Sequence, residues 1–144
     1  MTTRWRPRSG DERGAAAVEF AIVVSLLFML VFGIIAFGLF FSRYQVYQGA
    51  AREAARLAAV RASQADIKDR AYDAASPYDG EMPSPSAISI LVGEPGSAAG
   101  DPPCSDATRG DRVTVSWVQP FNIVLPLVPA LTFNVTIRGV FRCE

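Results

Sequence analysis

Few residues in this chain have types and spacing that could do chemistry. Glu19 is one, because residues 20–41 follow it with 22 positions that carry no charge. A carboxylate at the edge of such a run is costly to ionise away from water, and residues of this kind usually have a cationic partner. Its alternative role is an interfacial side chain that reaches back to water. Cys104 and Cys143 are the only cysteines. In a domain outside the cytoplasm an even pair reads as a disulfide, and otherwise as two free thiols. Histidine is absent, which removes the commonest general base and the commonest metal ligand. There is no glycine-rich phosphate loop or nucleophile elbow. No catalytic residue, cofactor or metal is expected, and the chain reads as a non-enzyme.

Gly14 precedes Glu19 by five positions, with Ala15, Ala16, Ala17 and Val18 between them. Behind a leader bearing Arg4, Arg6, Arg8 and Arg13, this segment resembles the type IV prepilin processing site. The resemblance implies cleavage between Gly14 and Ala15 by a prepilin peptidase, which leaves Glu19 as the fifth residue. The freed amine of a neighbouring subunit, at the same depth, would then supply the cation that Glu19 needs.

Residues 14–56, GAAAVEFAIVVSLLFMLVFGIIAFGLFFSRYQVYQGAAREAAR, resemble the TadE-like family of tight-adherence pilus assembly proteins. The shared features are the Gly-to-Glu segment, a single span and an alanine-rich helix ending in REAAR. Phe20 stands where many such pilins carry tyrosine, which keeps the ring and drops a hydroxyl. The resemblance implies a pseudopilin or minor pilin, with Glu19 and Phe20 acting in assembly.

The elements that position these residues follow from periodicity. As a helix, residues 20–41 would extend about 33 Å, enough for a hydrocarbon core of about 30 Å. A secretory signal would have an apolar region of only about 7–15 residues, with its cleavage site after it. The alternative of a buried core helix fits poorly in a chain of 144 residues. Arg43, Tyr44 and Tyr47 suit the exit of a span. Helix formers then continue to about Val60, where Val46, Ala50, Leu57 and Val60 form a stripe expected to pack on a sheet. Ser63 and Asp66 predict an N-cap and a second helix over residues 64–75.

Alternation predicts strands at Ile88, Ile90 and Val92, at Val113, Val115 and Trp117, and along residues 131–141. Residues 93–110 read as a loop. Residues 119–130 read as a second, unusually apolar loop, either folded under the sheet or offered as a subunit or membrane contact.

The expected fold is α+β: a single N-terminal transmembrane helix continuing into a soluble helix packed on a small antiparallel sheet. The expected organisation is a basic leader over 1–14, a TadE-like helix over 15–62 and an extracytoplasmic head over 63–144. Four arginines lie before the span and Arg43, Arg52, Arg56 and Arg61 follow it, so charge alone leaves orientation tied. A short basic N-terminus inside and a long cysteine-bearing domain outside fit best. The partners expected are the lipid bilayer, a prepilin peptidase and other pilins or pilus assembly proteins, with balanced charge giving no reason to expect nucleic acid. The alternative function is an unprocessed single-span anchor presenting a binding or sensor domain.

Overall fold

The computed structural model describes the backbone of residues 11–125 and 128–144, and the side chains of 14–125 and 129–144. Arg4, Arg6, Arg8, the Arg13 side chain and Leu127 therefore lie outside the described residues. Helix α1 spans Asp11–Ala59 without a break, because no proline interrupts it and its second half is rich in alanine. Its segment Gly14–Ala59 is the one described helix long and apolar enough to cross a membrane. The apolar run is uncovered rather than buried: Phe20 is 69% and Leu26 71% exposed. This overturns the core-helix alternative.

Helix α1 ends one residue before the expected Val60. Arg61 adopts a left-handed conformation, φ 63°. Its N–H reaches the Ala58 carbonyl at 3.2 Å, and the Ala62 N–H reaches Leu57 at 3.4 Å. That pair of bonds closes the helix as a Schellman turn, with arginine in the place glycine usually takes. Helix α2 follows at Gln64–Ala75. The Ser63 hydroxyl accepts the Asp66 N–H at 3.2 Å, so the expected cap is present.

Four strands form one antiparallel sheet: β1 (Ser89–Val92), β2 (Ser97–Ala98), β3 (Arg112–Leu125) and β4 (Val128–Arg142), in the order β2-β1-β3-β4. The fold class is α+β as expected. The short β2 lies inside the stretch read as a loop. The larger correction concerns residues 119–130, which are mostly strand. β3 and β4 form a long hairpin, with Phe121 opposite Phe133 and Ile123 opposite Leu131. Prolines suggested a loop, but β1 pairs with β3 only as far as Ser116. Pro120 thus sits where β3 has one neighbour instead of two, and Pro129 sits on the edge strand β4, where a missing N–H costs least.

The helix face that packs on the sheet matches expectation at Ala50 but is shifted from the rest of the expected stripe. Val60 is 54% exposed, and Val46 and Leu57 are only half-buried. The buried face is Tyr47, Ala50, Ala51, Ala54, Ala55 and Ala58. Small side chains let the helix backbone approach β4 closely at Gly139, where a Cβ would lie 2.0 Å from the Ala51 carbonyl oxygen. A stripe of valine and leucine would hold the two elements further apart. Ile67, Ala71 and Ala75 of α2, with Val113, Val115, Trp117 and Ile137 of the sheet, complete the core.

Candidate functional site

The residues singled out in the sequence fall at two widely separated places. Gly14, Ala15, Glu19 and Phe20 lie together near the start of α1, and all four are exposed. Ala15 and Glu19 are four residues apart and so share a helix face. Nothing lies within 4 Å of a Cβ placed on Gly14. Among the described residues no basic side chain pairs with Glu19. It lies 28 residues before Tyr47, hence about 40 Å along the axis from the buried face of the head. Within the described residues this carboxylate has no salt-bridge partner.

Cys104 and Cys143 lie at the opposite end, bonded to each other with Cα atoms 5.7 Å apart. Both are buried. The bond fastens the loop after β2 to the residue after β4. Around it the Cys143 N–H donates to the Asp111 carbonyl at 2.8 Å, and the Gly110 N–H to the Cys143 carbonyl at 2.9 Å.

Between these places lies a junction that sequence reasoning missed. Tyr47, expected at a water–lipid boundary, is wholly buried, and its hydroxyl donates to the Tyr78 carbonyl at 3.1 Å. Burial pushes that hydroxyl up to about 12, with the Glu81 carboxylate adding to the rise. It therefore remains a donor across the ordinary pH range. Arg43 pairs with Glu81 at 3.0 Å and lies 5.2 Å over the Tyr78 ring. The buried Gln119 donates to the Glu81 carbonyl at 2.9 Å. Residues 43–47 of α1, the turn at 78–81 and β3 are thereby joined, which fixes the head at a set height on the long helix. No motif marks these residues, because the contacts are long-range and use ordinary side chains.

Just below the junction, Phe40 meets the hairpin edge-on, 4.9 Å from Phe121 and 5.3 Å from Phe133 between ring centroids. Such separations favour attraction between ring edges and faces. The assembly therefore has an uncovered apolar rod with a carboxylate near its start, a tied neck and a stapled head. Its features suit packing against other molecules. A family model for TadE-like protein matches residues 14–56, which make up the uncovered rod and most of the buried alanine face. Those are the residues that carry the resemblance, and they are less than a third of the chain. Neither the curated proteins nor the solved structures yielded a match.

Proposed function

We propose that this chain is a membrane-anchored structural subunit of a bacterial tight-adherence pilus, a minor pilin or pseudopilin, and not an enzyme. The observation that carries the reading is the uncovered helix behind Gly14 and Glu19, in the segment that matches the TadE-like family. Residues 20–41 would anchor the chain in the bilayer, with the head outside the cytoplasm. Bundled spans would set their register through Glu19, and the head would cap or decorate the assembly.

Processing is tested at Gly14. It sits in the first turn of α1, where glycine's poor helix propensity, about 1 kcal/mol worse than alanine, makes local unwinding inexpensive. A peptidase cut after Gly14 yields a mature chain that begins at Ala15 and lacks the leader arginines. Intact mass of membrane-extracted protein should show that species, and Gly14→Leu should leave the full-length form. Wild-type protein retaining residues 1–14 in cells with a working prepilin peptidase would refute processing and favour the unprocessed anchor. The helical backbone at Gly14 is the observation that keeps this second reading in play, since a chain held helical there resists cutting.

Assembly is tested at Glu19. Glu19→Ala should leave the amount of membrane-bound protein unchanged or slightly higher, because it removes a charge that is expensive beside lipid. Co-purification with pilus components should fall sharply, since attraction to a neighbour's amine is strong only where water is scarce. Glu19→Gln should match alanine if charge is what matters, and wild type if a hydrogen bond suffices. Undiminished assembly by Glu19→Ala would reduce this residue to an interfacial glutamate.

A further inference from the structure

We infer that the apolar end of the β3–β4 hairpin is itself a membrane contact, seated in the headgroup–acyl boundary of the leaflet from which residues 20–41 emerge. The inference rests on the reading of that segment as a span.

Three observations place it. First, height: a groove of about 200 Å³ separates Ala36, Leu39, Phe40 and Arg43 of α1 from Phe121, Ile123 and Val124 of β3. Ala36 precedes Arg43 by seven residues, so the hairpin descends about 10 Å past the first charge after the span. Any bilayer that covers Ala36 and Leu39 meets Ile123 and Val124 at the same depth. Second, composition: no charged residue occurs between Arg112 and Arg138, so the whole lower hairpin is uncharged. Val124 is 68% exposed and lines the groove with exposed Leu39, and Leu131, opposite Ile123 on the neighbouring strand, is 52% exposed. In water this would be an apolar patch continuous with the rod, of a kind that soluble surfaces avoid.

Third, the backbone limits the depth. Beyond Ser116, β3 has only β4 beside it, and β4 is an edge strand. Unpaired strand edges are not tolerated in hydrocarbon. Asn122, Thr132 and Asn134 are also exposed on the hairpin. The boundary region satisfies both demands, offering acyl chains to Val124 and Leu131 and water to the free backbone groups. The head would then touch the bilayer at two points, helix and hairpin, which restricts its tilt.

Site-directed spin labelling of the full chain in phospholipid vesicles at high lipid excess tests this. Labels are placed at Val124→Cys and Leu131→Cys, with Cys104 and Cys143 left oxidised. Val118→Cys, exposed higher on the face of β3 that carries Val124, serves as the aqueous reference, and Met29→Cys reports the span. The ratio of oxygen to nickel-chelate accessibility should be several-fold higher at 124 and 131 than at 118, and highest at 29. Equal ratios at 124, 131 and 118, with 29 still lipid-exposed, overturn the hairpin contact and leave the span standing. A chelate-accessible label at 29 overturns the span and the hairpin contact together. Labels at 124 and 131 that become shielded from both reagents only as chain density rises reveal a protein–protein contact, which also overturns the lipid assignment.

Discussion

Gly139→Ala should destabilise the head by about 2–4 kcal/mol, at or beyond the usual range for overpacking a core. The added methyl would stand 2.0 Å from the carbonyl oxygen of Ala51, 2.3 Å from its carbonyl carbon and 2.8 Å from the Arg52 nitrogen. All three are backbone atoms in mid-helix, so no side chain can swing away to make room. Either β4 or α1 must shift by an ångström or more. That shift loosens the contacts of Ala50, Ala54 and Ala55 with the sheet and strains the junction at Tyr47. Valine at 139 should cost more. Gly49→Ala is the matched control, since nothing lies within 4 Å of its Cβ position and alanine favours a helix. Denaturant unfolding of the full chain in detergent, followed by fluorescence of the buried Trp117, measures the effect. A Gly139→Ala variant as stable as wild type would mean that the helix and sheet do not pack as closely as described.

The same contact explains why the packing face is harder to read from sequence than α2 and the first half of β3. Helix α2 was legible because its signal is local: Ser63 and Asp66 cap it, and proline follows it. The alternation of Val113, Val115 and Trp117 likewise needs no distant partner. The choice between the Val46/Ala50/Leu57/Val60 stripe, of which Ala50 alone is fully buried, and the alanine face does need one. Periodicity favours large apolar residues, but Gly139 sits opposite the helix and rewards small ones, and Gly139 is some 90 residues away in sequence. Residues 119–125 were misread for a related reason. Pro120 looks like a breaker until it is known that β1 stops short of it. Arg61 carries no sign of the left-handed turn it makes, because glycine is the usual signal. At the N-terminal end the pattern of Gly14 and Glu19 was plain in sequence, and the fold of one chain adds only that both are exposed.

Breaking the Cys104–Cys143 link should lower the stability of the head by as much as about 4 kcal/mol, from the loop-closure entropy of a crosslink spanning about 40 residues. The bond encloses β3, β4 and the hairpin within a separation of 39 residues, so it restrains most of the sheet in the unfolded chain. Some order at the C-terminal end should survive without it, because Glu144 N–H still reaches the Ala59 carbonyl at 3.3 Å and Cys143 N–H still reaches Asp111. The variants Cys104→Ala and Cys143→Ala should therefore remain folded but unfold at clearly lower denaturant. The double variant should cost little more than either single one, since both remove the same bond and strongly coupled sites are not additive. Fraying should begin where β4 ends, so amide exchange at residues 140–143 should accelerate more than at 113–117. A non-reducing peptide map of wild-type protein should recover the two cysteines in one linked peptide pair. Two freely alkylated thiols in normally exported protein, or single variants as stable as wild type, would show that the head does not depend on this crosslink.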